Sequence, residues 1–309
     1  MNLPLTRRQA LLGSLAVGTT ALMGCGRTDS PSTPTFSQTA PPPVDLSSYI
    51  EALEKRHGAR IGVWASDLET GTSAAYRSEE AFAMCSTFKP YAVAAALRLA
   101  SSGRLDLEQA FPVAAADIVV NSPVLSTMIG SSITLSRACE AALTDSDNTA
   151  GNIVLRAIGG PTAVTSFARS IGDDRTTLDR WEPELNEAVP GDLRDTTSPQ
   201  ALATGYTAIL VGDALESTQR DRLTSWMRAT RTSDKRFRAA LPQGWTSADK
   251  TGAGNYGSTN DAGLVLGPRD QQILLAVMTR SGDDRQDAAP FNDAIADTVR
   301  TVMNAFGHA

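Results

Sequence analysis

The sequence predicts an antiparallel sheet with flanking helices, built from both chain ends, with an inserted helical domain: an α/β part joined to an all-α part. Three observations predict it. Strand-like runs sit near both ends: ARIGVWASD and TSAAYR before residue 78, then WTSADKTG, DAGLVLG and QQILLAVMT after Leu241. Helical runs fill residues 134–229 between them. An amphipathic helix opens the folded part and another, FNDAIADTVRTVMNAF, closes it.

Each element follows in order. Arg7 and Arg8 precede an uncharged apolar run from Ala10 to Gly24, too short for a membrane span and suited to an export signal core. The paired arginines point to twin-arginine export. Leu22-Met23-Gly24-Cys25 resembles a bacterial lipobox, which makes Cys25 the lipidated first residue of the mature protein. The alternative is a plain export signal with Cys25 incidental. Residues 1–24 are thus read as a signal peptide, and their loss makes the net charge more negative by the two arginines. Arg27 to Asp45 is rich in Ser, Thr and Pro and buries no core, so residues 25–45 are read as a lipid-anchored spacer.

The folded unit is expected over 46–309, with an α/β part at 46–84 and 230–309 and a helical part at 85–229. Leu46, Ile50 and Leu53 line one face of a helix that stops at Gly58. Glu69-Thr70-Gly71 turns a hairpin between the first two strands. A nearly all-apolar, buried helix is predicted from Ser86 to about Gly103, with Pro90 in its first turn. Thr134, Pro161, Ser198 and Ser217 start further helices, and Gly159-Gly160 ends one. Asp173 to Thr197 is polar and without period; an irregular stretch of that length is usually functional.

Composition narrows the function. The 309 residues are 41% hydrophobic and 20% charged, as in soluble globular proteins. A net charge of −6 argues against a general nucleic-acid binder. There are only two histidines, His57 and the penultimate His308, so a Ser-His-Asp triad or a His-rich metal site is disfavoured. The base of any catalysis is then Lys or a carboxylate.

Three short motifs carry chemistry. In Ser86-Thr87-Phe88-Lys89, serine and lysine share one helical face, close enough to pass a proton. Ser86 also falls at a helix N-terminus, which favours a developing oxyanion. A cap serine with a surface lysine gives the same pattern. Ser146-Asp147-Asn148 precedes a helix, where Asp147 also reads as a cap. Lys250-Thr251-Gly252 lies on a strand; Lys250 offers charge to an anion, and Gly252 lets a ligand approach the backbone.

In this order the three motifs form the S-x-x-K, S-D-N and K-T-G set, and the chain resembles the serine penicillin-recognising enzymes. Arg180-Trp181-Glu182-Pro183-Glu184-Leu185-Asn186, followed by Arg194-Asp195-Thr196-Thr197, is similar to the omega loop of class A β-lactamases. The resemblance implies a fold of the β-lactamase and penicillin-binding-protein type and hydrolysis of β-lactam antibiotics, conferring resistance, with neither metal nor cofactor. It implies that Ser86 attacks the lactam carbonyl, and that the N–H groups of Ser86 and Ala253 form the oxyanion hole. Lys89 and Glu182 share the base work of acylation, and Glu182 with a water held by Asn186 drives deacylation. Ser146 relays a proton to the lactam nitrogen, Asn148 binds the substrate amide, and Lys250 and Thr251 meet its carboxylate. Arg180 pairs with Asp195 to brace the loop.

Four departures stand out. Gly257-Ser258-Thr259 puts threonine where many class A enzymes carry a carboxylate-binding arginine, so Arg236 is expected to supply that charge; a solvated arginine in the run Lys235 to Arg238 is the alternative. Asn121 replaces an aromatic residue at the active-site mouth. Cys85 and Cys139 have Gly254 and Val93 at the positions of their family disulfide partners, so both are expected as free thiols. A D,D-peptidase shares the first three motifs but lacks the Glu182 segment, and a β-lactam sensor needs a membrane segment beyond residue 25. A non-enzymatic surface lipoprotein leaves all four motifs to coincidence. The expected partners are small-molecule β-lactams acting on an exported monomer, with the membrane reached only through Cys25.

Overall fold

A computed structural model describes residues 42–308. The export segment 1–24, Cys25 and the spacer as far as residue 41 lie outside the described residues.

The period-two runs become one sheet with two apolar faces. Its strands are β1 Val44–Asp45, β2 Ala59–Asp67, β3 Ser73–Tyr76, β8 Thr246–Ala253, β9 Thr259–Leu266 and β10 Gln272–Ser281. Their order is β1-β3-β2-β10-β9-β8. Every neighbouring pair is antiparallel except β1 with β3. The β2–β10 ladder runs from Ala59↔Ser281 to Asp67↔Ile273 and joins the two ends of the fold. The short strands β4 Phe82–Ala83, β5 Ala110–Pro112, β6 Ser132–Thr134 and β7 Thr196–Thr197 form two small ladders, β4–β7 and β5–β6. Sequence reading missed these, since two or three residues carry no period. Val44 and Asp45 fall in the stretch read as spacer, but they pair with Ala74 and Ala75, and Val44 packs against the core of the sheet.

Alternation sends successive side chains to opposite faces. Ile61, Val63, Ala65, Ile273, Leu275 and Val277 pack with helices α1 Ser47–His57 and α8 Asn292–Ala305. Ala248, Ala262, Leu264, Leu274, Ala276 and Met278 face the other helices. That second core holds α2 Lys89–Ser101, α3 Leu135–Thr144, α4 Asn148–Ile158, α5 Pro161–Ser170, α6 Pro199–Leu210 and α7 Ser217–Arg228. Three caps act as the sequence predicts, whereas Ser217 is the first residue of α7 and Glu216 precedes it without a side-chain cap. Thr134 accepts from Arg137 N, Asp147 from Ala150 N and Ser198 from Ala201 N, while Gly159 closes α4 at φ +105°. Such a φ suits glycine, which has no Cβ to clash. Helix α2 is the buried axis of this core, with Tyr91 to Leu97 almost wholly inaccessible.

One expectation is corrected. The helix predicted from Ser86 begins instead as a 3₁₀ turn, Cys85–Phe88, and becomes α-helical at Lys89. Cys85 has φ +48°, a sparsely populated conformation that lifts the chain out of β4 into this turn.

Candidate active site

Ser86 is fixed by the elements around its turn. Thr87 Oγ1 and N both donate to Met84 O, at 2.7 and 3.2 Å. Tyr206 on α6 donates to Thr87 O at 2.7 Å. Asn260 on β9 donates from Nδ2 to Ala83 O and Met84 O, at 2.8 and 3.1 Å. Strand β8 lies against the same turn. A Cβ on Gly252 would stand 2.8 Å from Met84 O and 3.2 Å from Cys85 Cβ. Gly252 is therefore required by protein packing as well as facing the cavity. Sequence reading missed Tyr206 and Asn260, which act over large sequence separations.

Lys89 is fully buried. Its Nζ donates to Ser146 O and Asn148 Oδ1, both at 2.7 Å, and lies 3.2 Å from Glu182 Oε1. Gly151 on α4 makes room for the chain: a Cβ there would sit 3.0 Å from Lys89 Cε. Burial lowers the Lys89 pKa, and Glu182 opposes that shift. The Ser86 hydroxyl hydrogen-bonds Glu182 Oε1 at 3.4 Å, not Lys89. Glu182 Oε1 is thus the atom that the Ser86 hydroxyl and the Lys89 ammonium both reach.

Glu182 belongs to the irregular stretch, and both ends of its peptide are clamped. Its N–H donates to Asn152 Oδ1 at 3.0 Å and its carbonyl accepts from Asn152 Nδ2 at 2.8 Å. Asn152, on α4, was not singled out in the sequence. Asn186 Nδ2 donates to Glu182 Oε2 and to Pro183 O, while Asn186 Oδ1 is buried without a hydrogen-bond partner among the described residues. Arg180 pairs with Asp195, as the family resemblance implies, and also with Glu187. Asp195 Oδ1 further accepts the N–H groups of Asp179 and Arg180, at 2.7 and 2.9 Å.

Lys250 approaches from β8. Its Nζ donates to Ser146 Oγ at 2.9 Å and to Thr251 O at 2.7 Å. Burial first, then Lys89 and Arg236, push its pKa well below the usual lysine range. Ser146 stands at φ +57° between α3 and α4, which turns its hydroxyl to Lys250 and its carbonyl to Lys89. Asp147 is a cap and more: Oδ2 accepts Val124 N and Leu125 N, at 2.9 and 3.0 Å. Asn148 is already engaged, since its Nδ2 donates to Val120 O at 2.9 Å.

A cavity of about 610 Å³ opens on these groups, with Ser86, Ser146, Asn148 and Asn186 on one side. Asn121, Arg236, Thr251, Gly252 and Ala253 also line it. Lys89, Glu182 and Lys250 stand behind it, all but inaccessible. Arg236 is not the solvated arginine of the alternative reading. It is 8% exposed, donates from Nη1 to Gly252 O and Asn260 O at 2.8 and 2.7 Å, and donates from Nε to Asn292 Oδ1 at 2.9 Å. Asn121 sits at φ +61°, its carbonyl accepting Asn148 N at 3.0 Å. Thr232, missed in the sequence, lies 2.6 Å from Thr251 Oγ1. Cys85 and Cys139 are free and buried, and a Cβ on Gly254 would lie 2.8 Å from Cys85 Sγ.

Comparison with known proteins agrees with this arrangement. The model of the β-lactamase enzyme family matches residues 45–306. A class A β-lactamase reconstructed as the last common ancestor of Gram-negative bacteria superposes with a TM-score of 0.81 at 45% identity, covering 84% of this chain and 99% of that one. The chain belongs to the class A β-lactamases. A β-lactamase of Streptomyces lavendulae is 45% identical over 269 residues, 85% of this chain and 87% of the relative. The β-lactamase AST-1 of Nocardia asteroides is 41% identical over 96% of this chain and 94% of its own. A solved β-lactamase from Desulfarculus baarsii gives a TM-score of 0.83 at 38% identity, covering 85% of this chain and 98% of that one.

Proposed function

We propose that this class A β-lactamase hydrolyses β-lactam antibiotics through an acyl-enzyme on Ser86. The observation that carries the reading is Glu182, whose Oε1 meets both the Ser86 hydroxyl and the Lys89 ammonium. In acylation Ser86 Oγ bonds to the lactam carbonyl carbon and its proton passes to Glu182 or Lys89. The N–H groups of Ser86 and Ala253 receive the oxyanion. As the C–N bond breaks, Ser146 gives its proton to the nitrogen and takes one from Lys250, which donates to its oxygen; the proton drawn from Ser86 then leaves Glu182 or Lys89 through solvent in the cavity and restores Lys250, so Glu182 is a free carboxylate again before deacylation. In deacylation Glu182 takes a proton from water, the hydroxide adds to the ester carbonyl, and Ser86 leaves and regains a proton. Asn186 Oδ1 offers that water a buried acceptor. Lys250, Thr251 and Arg236 bind the substrate carboxylate, Asn148 its side-chain amide, and Asn121 borders its entrance.

Excess benzylpenicillin mixed with residues 42–309 tests this, with lactam absorbance and intact protein mass followed together. Many turnovers with little lasting adduct are expected. One stable equivalent on Ser86, with no further lactam loss, would mark a penicillin-binding or sensor protein instead. Export as a monomer anchored by lipid at Cys25 belongs to the same proposal. A mature mass lacking residues 1–24 and carrying acyl chains supports it; an unmodified N-terminus overturns the anchor.

A further inference from the structure

Two buried tyrosines connect the turn that carries Ser86 with the loop that carries Glu182. Tyr91 lies on α2, two residues beyond Lys89, and its hydroxyl donates to Asp173 Oδ2 at 2.7 Å. Asp173 opens the loop. Its Oδ1 accepts the N–H groups of Arg175 and Thr176, at 3.0 and 2.9 Å. The Thr176 hydroxyl donates to Asp173 Oδ2 and lies 2.7 Å from Thr197 Oγ1, at the loop's far end. Asp173, Thr176 and Thr197 therefore clamp the two ends of the loop together, and Tyr91 ties the clamp to α2.

Tyr206 completes the connection. Its hydroxyl donates to Thr87 O, one residue from the nucleophile, and its ring meets Tyr91 edge-on, with centroids 5.6 Å apart at 89°. Both rings are wholly inaccessible. The path of the Tyr91 hydroxyl across α6 is specific: a Cβ on Gly205 would stand 1.9 Å from it. The same Cβ would lie 2.5 Å from Tyr91 Cζ, so phenylalanine at 91 also fits against Gly205 and loses only the hydroxyl. Burial raises both phenols well above 10, with the Asp173 charge adding to Tyr91. Both hydroxyls are donors at any working pH.

We propose that Tyr91 and Tyr206 form a strut holding the Ser86 turn and the Glu182 loop at a fixed separation, Tyr91 positioning the loop for deacylation and Tyr206 the turn for acylation. The inference rests on the acyl-enzyme reading above. Neither tyrosine lines the substrate cavity, so both act through other residues.

Rapid mixing of benzylpenicillin with the native enzyme, Tyr91→Phe and Tyr206→Phe tests it, with acyl-Ser86 quantified by mass and melting temperatures recorded alongside. In Tyr91→Phe, deacylation slows roughly tenfold and acylation changes by less than about twofold. Acyl-enzyme accumulates, and kcat and KM fall together. In Tyr206→Phe, kcat/KM falls roughly tenfold through acylation and little adduct builds up. Variants that slow both steps alike overturn the strut, as do native rates with only a lower melting temperature. A native enzyme that stops at one stable adduct overturns the hydrolytic reading and the strut together; a native enzyme that turns over leaves the variants to judge the strut alone.

Discussion

At the residue scale, one carboxylate oxygen of Glu182 lies 3.4 Å from the Ser86 hydroxyl and 3.2 Å from Lys89 Nζ. Glu182→Gln preserves shape and removes the base, so kcat is expected to fall about 10²- to 10⁴-fold with acyl-Ser86 accumulating by intact mass. Turnover at the native rate would remove Glu182 from the mechanism. Arg236 is buried against the β8 and β9 backbones while Lys235 is exposed. Arg236→Ala is expected to raise KM for penicillins roughly tenfold or more, the worth of a charge-assisted contact, and Lys235→Ala to leave it nearly unchanged. Equal, negligible effects would sink that assignment. Lys250 gives a pH dependence. Burial, Lys89 and Arg236 favour its neutral amine, so its proton leaves at a lower pH than from a lysine in water. Attraction for the substrate carboxylate then fades on the alkaline side, and kcat/KM falls on a limb placed below about 10.4. Lys250→Arg is expected to move the limb upward, because a guanidinium stays charged. A limb that stays in place in this variant assigns it to another group.

At the scale of elements, the N-terminus of α4 is the joint on which the site turns. Asp147 caps the helix and takes two further N–H groups from Val124 and Leu125. Asp147→Ala removes a cap worth about 0.5–2 kcal/mol and leaves two backbone donors unpaired, at about 1–3 kcal/mol each where buried. Loss of stability on the order of 3 kcal/mol is expected in denaturant titration; a change below about 1 kcal/mol would show that water repairs the joint. Elements of this kind were legible in the sequence. Thr134, Asp147, Gly159 and Ser198 mark helix ends through local chemistry, and period two marks β2, β9 and β10. The motif residues were legible as types in an order. Their partners were not. Asn152, Asn260, Tyr206 and Thr232 come from other elements, and only the fold brings them to the site. The 3₁₀ start of α2 was equally hidden, because Cys85 at φ +48° is held by tertiary contacts and not by its own preference.

At the scale of the molecule, two buried thiols report on the integrity of the fold, Cys139 in the helical core and Cys85 in the turn that carries Ser86. Burial pushes Cys85 and Cys139 each up to about 12, which keeps them protonated and unreactive near neutrality. The folded chain 42–309 is expected to resist a thiol reagent that reads two equivalents after unfolding; rapid labelling of the folded protein would show that the fold opens. The sheet that joins the chain ends also sets a schedule. Ala59 pairs with Ser281 and Asp67 with Ile273, so β2 leaves the ribosome long before its partner exists. At about 5–20 residues per second that wait is on the order of ten seconds or more. The helices between are local structures and form meanwhile, but Lys250 reaches Ser146 only once β8 has been placed by β9 and β10. A nascent chain therefore carries its nucleophile for most of its synthesis without a competent site around it, and competence arrives in a single late step.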